Sequence, residues 1–316
     1  MTVNESISRD ILRLIVWYPL RWLVLILPVR GGIALLRQLG DIHFRLSRSA
    51  RDHLCNNLKR MGFTSKLDLY ARTYLRNHYI DHLFIFIFPK LHKRHVKKLV
   101  DIEGLEHLDA AREQGKGVVL VHGHFGPVHL PLVSLARLGY PMKQIGNPSD
   151  EGLSWVGRNV AFRLRLHYES KIPAEIIKAD GFLKGAFKAL ARNEVVMTTG
   201  DGTGTPQKIG RHHRFKLFDQ PVDIPLGPAR LARKTGAALV PMFIQPGRGG
   251  ALYQIVITPP IQIEDSGDAT DPQATAEFLD RYKRHIQTCP GYMHFLDRFE
   301  PGRMIATDKE ARRNNP

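Results

Sequence analysis

Three histidines stand close together in His122-Gly123-His124-Phe125-Gly126-Pro127-Val128-His129. They follow the apolar run VVLV at 118–121, which is bounded by turn residues and reads as a buried parallel strand. A histidine-rich loop at the carboxyl end of such a strand stands where open α/β sheets place their sites. A second apolar run, VVMTT at 195–199, opens into Gly200-Asp201-Gly202-Thr203-Gly204. That loop can bring backbone N–H groups and one carboxylate to a phosphate or an oxyanion. His212, His213 and Arg214 follow among interleaved aromatics and read as surface or acceptor-contacting residues. One chemistry for such a set is metal-dependent hydrolysis, because three imidazoles with Asp201 or His213 would suit zinc. The common H-x-H-x-D-H spacing is broken, however: Gly126 and Pro127 occupy its Asp and His places. No metal is expected, and His122 is read as a structural strand-end histidine. Cys55 and Cys289 are too few and too far apart for a disulfide framework or a thiolate zinc site.

The surrounding pattern must position these loops. Gly126-Pro127 suits a helix start, and the helix running to residue 138 closes at Gly139. Helices are predicted over 106–114, 181–192 and 227–235, and strands over 239–243 and 254–258. Strand and helix alternate, so the expected class is α/β, with a mixed, largely parallel central sheet flanked by helices. The α/β domain is assigned to 101–300 and a polar, frayed tail to 301–316.

The 316 residues are 43% hydrophobic and 24% charged, a folded globular composition. Their charge is uneven. Residues 1–100 hold 18 Lys+Arg against 6 Asp+Glu, a net +12 of the chain's formal +16. Such a basic third points to a polyanionic partner. No helix-turn-helix, zinc-finger or RNA-binding signature accompanies it, so nucleic acid is not expected. Residues 14–29 (LIVWYPLRWLVLILPV) are strongly apolar but short and interrupted by Pro19, Arg21 and Pro28, which argues against a spanning helix. The prediction is a membrane-interface helix over 11–30, with Trp17, Tyr18 and Trp22 at headgroup depth and Arg13, Arg21 and Arg30 reaching lipid phosphates. The run LFIFIF at 83–88, followed by clustered cations, is a second candidate membrane patch, with a core helix end as the equal alternative. Residues 41–59 and 66–82 have helical spacing, so the whole N-terminal region is read as helical and membrane-associating.

Taken together, these blocks resemble the bacterial lipid A late acyltransferases of the lauroyl and myristoyl type, within the glycerolipid acyltransferase superfamily. HFGPVH (124–129) is similar to the H-x4-D/E box, and Arg158, Arg163 and Arg165 to the arginine block. GDGTG (200–204) and Val240-Pro241 match the acidic-glycine block and the last strand, with GPARLARKTGAALVPMF (227–243) the nearest match. The resemblance implies transfer of a fatty acyl chain from an acyl carrier protein or CoA thioester to a lipid hydroxyl, with no metal or bound cofactor. The acceptor it implies is an anionic glycolipid or phospholipid at the cytoplasmic face of the inner membrane. His124 would be the general base, and Arg158, Arg163 and Arg165 would hold an acidic acceptor. Backbone donors near Gly126, Gly202 and Thr203, or a nearby arginine, would stabilise the oxyanion. One departure stands out: the box's acid is His129 here, which can orient a ring but brings no negative charge. The replacement carboxylate is expected at Asp201, with Glu169 the second choice. A non-enzymatic membrane binder on the same scaffold is the competing reading.

Overall fold

The computed structural model describes residues 6–146, 148, 150–179, 183–202, 210–263 and 267–307. The strands are β1 (Val100–Glu103), β2 (Val118–His122), β3 (Met142–Gly146), β4 (Glu175–Lys178), β5 (Val195–Thr199), β6 (His212–Leu217), β7 (Gln220–Pro225), β8 (Ala238–Pro246) and β9 (Tyr253–Ile257). Seven form one sheet in the order β1-β9-β8-β2-β5-β3-β4, while β6 and β7 make a separate hairpin. Every pairing in the large sheet is parallel except β8 with β9. All five residues of β2 are buried, as an unbroken apolar strand covered on both faces should be.

The N-terminal region is helical as expected, with α1 (Ile7–Ile15), α2 (Arg21–Ile26), α3 (Val29–Leu46), α4 (Arg48–Arg60), α5 (Leu67–Leu83) and α6 (Lys93–Leu99). The single helix predicted over 41–59 is two, broken at Ser47, whose side chain caps α4 by accepting from the Ala50 N–H. The helices α7 (Leu105–Glu113), α8 (His129–Leu138), α9 (Arg163–Glu169), α10 (Lys184–Ala191), α11 (Gly227–Thr235) and α12 (Thr270–Thr288) belong to the sheet domain. Gly139 and Gly236 end α8 and α11 at positive φ, +108° and +69°.

α3 and α5 cross at Gly40, where a Cβ would lie 2.5 Å from the Arg76 Cα. One residue on, buried Asp41 accepts paired hydrogen bonds from Arg72 (2.7 and 3.0 Å) and Arg76 (2.6 and 2.7 Å). These bidentate contacts fix α5, whose last turn reaches the sheet end.

The predicted interface helix is interrupted. A π-turn at Val16–Leu20, containing Pro19, separates α1 from α2, and Leu27 is extended before Pro28. Its outer face is apolar and exposed at Ile7, Ile11, Tyr18, Trp22 and Ile26, while Trp17 packs edge-on to Phe86 at 5.1 Å. Among the described residues no helix is long and apolar enough to cross a membrane. The three arginines differ from expectation. Arg13 donates to Asp10 and Ser154, Arg30 donates to the Gly250 carbonyl, and Arg21 is buried with its guanidinium 4.8 Å from the Trp22 ring.

The 83–88 run is core, not a membrane patch: Phe84 to Phe88 are each no more than 7% exposed. Nor are residues 301–307 frayed. Ile305 is buried, and the Ala306 N–H donates to the Pro221 carbonyl.

Candidate active site

β2 and β5 pair in parallel with His122 opposite Thr199. His124 and Asp201 stand the same two steps beyond, so the sheet register itself brings them side by side. His124 Nδ1 lies 2.9 Å from Asp201 Oδ1, and the His124 backbone N–H donates to Asp201 Oδ2 at 2.6 Å. The Tyr282 hydroxyl, from α12, points to the same Oδ2 at 3.5 Å. It reaches there because residue 123 is glycine: a Cβ at Gly123 would come within 2.4 Å of the tyrosine ring.

The pair is electrostatically matched. Burial raises the Asp201 pKa, but the His124 ring and its hydrogen bonds outweigh it and leave the carboxyl at about 2. Burial lowers the His124 pKa, but the Asp201 charge and bond prevail, so it ends above its ordinary value. Asp201 is therefore a fixed carboxylate at neutral pH. With Nδ1–H donated to it, the neutral imidazole carries its lone pair on Nε2. The ring is 18% exposed, against 1% for the Asp201 side chain, so the imidazole reaches the cleft while its partner stays dry.

A segment after α12 holds the loop from the other side. The Gly126 N–H donates to the Tyr292 carbonyl at 2.8 Å and the His294 N–H to the His124 carbonyl at 3.0 Å, around an antiparallel bridge between Phe125 and Met293. Gly126, at φ +59°, makes the turn this clamp requires. The Gly126 N–H is thereby committed, which removes it as the expected oxyanion donor. Gly202 is exposed next to Asp201. Thr203 and Gly204 lie outside the described residues.

The loop borders a cleft of about 350 Å³, lined among others by Asp81, His124, His129, Arg165, His294 and Phe295. The Phe295 ring stands edge-on to His124 at 5.0 Å. His129 opens α8 and sets its ring edge-on to Phe88 at 5.7 Å; burial lowers its pKa against the pull of Asp81 and Glu169. The arginine block divides. Arg165 lines the cleft, with its Nε donating to buried Glu169 at 2.6 Å. Arg158 pairs with Asp150 at 3.1 Å on the surface, and Arg163 is exposed. Glu169 thus serves Arg165, and the carboxylate on His124 is Asp201.

His122 is buried, with Nδ1 facing the Gly123 carbonyl at 2.9 Å, and burial pushes its pKa down to about 4. His212, His213 and Arg214 lie on β6, where Arg214 pairs with Asp223 at 2.9 Å, apart from the cleft lining. Among the described residues no three His, Cys, Asp or Glu side chains converge as a metal would need. Sequence reasoning missed Asp81, Tyr282 and His294. The run His78-Tyr79-Ile80-Asp81-His82 carried a usable signal, four titratable groups within little more than one turn of an otherwise half-apolar helix.

A largely parallel sheet that presents a buried-carboxylate–histidine pair beside an arginine-bearing cleft has the arrangement that general acid–base group transfer or hydrolysis requires. The chain belongs to the bacterial lipid A biosynthesis acyltransferase family, whose pattern it matches over residues 6–300. It is 28% identical over 222 residues to the phosphatidylinositol mannoside acyltransferase of Mycobacterium tuberculosis (strain ATCC 25618 / H37Rv), covering 67% of this chain and 64% of that one. The Mycolicibacterium smegmatis protein of the same name is 26% identical over 221 residues, 67% of this chain and 66% of that one. The lipid A biosynthesis lauroyltransferase of Escherichia coli (strain K12) is 28% identical over 209 residues, 65% of this chain and 63% of that one. The chain thus spans just under two thirds of the length of the curated relatives it matches.

Proposed function

We propose that this protein is an O-acyltransferase that moves a fatty acyl chain from an acyl thioester to a hydroxyl of an anionic membrane glycolipid. The observation that carries it is the His124 Nδ1 to Asp201 contact at 2.9 Å beside the cleft. Nε2 of neutral His124 takes the proton as the acceptor oxygen attacks the thioester carbonyl. A C–O bond forms, and the charge collects on the former carbonyl oxygen. Asp201 holds the imidazolium in place. The intermediate then expels the thiolate, the C–S bond breaks, and the imidazolium returns its proton to sulfur. Arg165 is the cleft's cation for the oxyanion or for an acceptor phosphate; Arg158 and Arg163 are placed to meet acidic groups further out.

The donor is an acyl carrier protein or CoA thioester, and no metal or resident cofactor takes part. The relatives' names, lipid A and phosphatidylinositol mannoside, share a glycolipid acceptor. The exposed face of Ile7, Ile11, Tyr18, Trp22 and Ile26, joined by Trp155 at 73% exposure, lies in the lipid interface. The working location is the cytoplasmic face of the inner membrane, where thioester and acceptor meet. Membranes containing the protein, given labelled acyl carrier protein or CoA thioesters, should yield a glycolipid one acyl chain heavier by mass spectrometry. Full activity in His124→Ala, or no acylated lipid with either donor, overturns the reading.

A further inference from the structure

Asp81 is a second, half-buried carboxylate at the site, and the chemistry above does not use it. It ends the polar face of α5, and its side chain is 14% exposed. Oδ1 accepts the Val128 N–H at 3.0 Å, where the His124 loop enters α8. Oδ2 stands 3.4 Å from His294 Nδ1. The other His294 nitrogen, Nε2, donates to the Gly126 carbonyl, because a carbonyl can only accept. Asp81 thus touches the far end of the loop directly, through Val128.

We propose that Asp81 is a positioning residue for the acyl transfer: it supplies, from the helical N-terminal region, the negative charge that His129 cannot bring to the start of α8, and it holds the His124 loop at Val128. This rests on the general-base reading of His124. An anion at a helix N-terminus is favoured by the orphan N–H groups and the helix dipole, so Asp81 is well placed to remain charged. Burial raises its pKa, but His294, His82 and His129 around it outweigh that and leave it lowered. The histidines coupled to it are His78 and His82 on α5, His124 on its loop, His129 on α8 and His294 after α12, while Arg165, Asp297 and Arg298 line the same cleft. The groups facing His124 are Asp201, His122, His129, His294 and Asp81 itself. Asp201 holds the ring; Asp81 holds the loop and adds a second, more distant negative charge.

The test follows the His124 imidazole by NMR titration and the pH profile of acyl transfer in parallel. Asp81→Asn keeps an oxygen for the Val128 N–H and removes only the charge. The His124 midpoint should fall by about half a pH unit, the acid limb of kcat should move with it, and kcat should drop roughly tenfold. His129→Glu in the Asp81→Asn background should restore both. Introduced alone, His129→Glu should raise the midpoint. A purely structural cap would leave the titration of His124 where it was. An unmoved midpoint in Asp81→Asn overturns the proposal, and should that variant not fold, an unmoved midpoint in His129→Glu does so. If the unaltered protein transfers no acyl chain, the reaction reading fails, while the titration still decides the role of Asp81.

Discussion

The sheet end and the helical region 1–100 contribute to one site by different means. His124 and Asp201 meet because two parallel strands are in register, so every ladder hydrogen bond between β2 and β5 enforces their contact. Asp81 arrives from a helix whose position depends on side chains, chiefly the Asp41 clamp on Arg72 and Arg76. The first kind of placement survives small changes around it. The second is sensitive to a single substitution more than a helical turn away, and four expected outcomes press on that difference.

The largest effect is expected at the base. His124→Ala should lower kcat by about 10⁶-fold and also lower the melting temperature at neutral pH, since it leaves the buried Asp201 carboxylate without its partner. Residual acyl transfer within tenfold of the original would place the chemistry elsewhere. Asp201→Asn should cost about 10⁴-fold. It should also shift the acid limb of kcat/KM downward: Asp201 raises the His124 pKa, so removing its charge lets the ring deprotonate at lower pH. A limb that stays in place, or moves up, would separate Asp201 from the titration.

Asp41→Asn probes the helical side. Its carboxyl is held far below the ordinary carboxylate range by hydrogen bonds to Arg76 and Arg72. The stabilisation is therefore present above the unfolded carboxyl's pKa of about 4 and lost as pH falls below it. The variant should lose about 2 kcal/mol at pH 7, and its difference from the unaltered protein should shrink in acid. Denaturant unfolding at pH 7 and pH 3 checks both statements; equal differences at the two values contradict the clamp. Smallest of the four, replacing Ile7, Trp22 and Ile26 together by serine should weaken co-sedimentation with phosphatidylglycerol vesicles by about tenfold, with the melting temperature unchanged. Undiminished vesicle binding would remove this face from the lipid interface.

The same contrast explains what the sequence disclosed. β2 and β5 begin as buried apolar runs, VVLV and VVM, and lead into glycine-bearing loops, and both loops were legible as site material, as was Asp201 as the carboxylate to look for. β3 and β4 lie towards the sheet's edge and carry Lys143 and Glu175, paired at 2.6 Å, which breaks their apolar pattern. The β6–β7 hairpin hid for another reason. Its turn places Phe218 and Asp219 at φ +50° and +59°, a left-handed pair built without the glycine or asparagine that normally announces it. The LFIFIF run has no polar side, so nothing in it distinguishes core from membrane. Asp81 and His294 lie more than two hundred residues apart, and their meeting depends on helix packing that no local pattern records.

The strap at residues 291–295 carries a consequence for how the molecule is made. A growing polypeptide emerges amino end first, and its early portions can fold before the rest exists. Here the loop bearing His124 is closed by backbone bonds from Tyr292 and His294, far later in the sequence than the loop itself. Helices, sheet and the His124 loop can all have emerged from the ribosome while that loop stays unclosed, awaiting the segment that latches it.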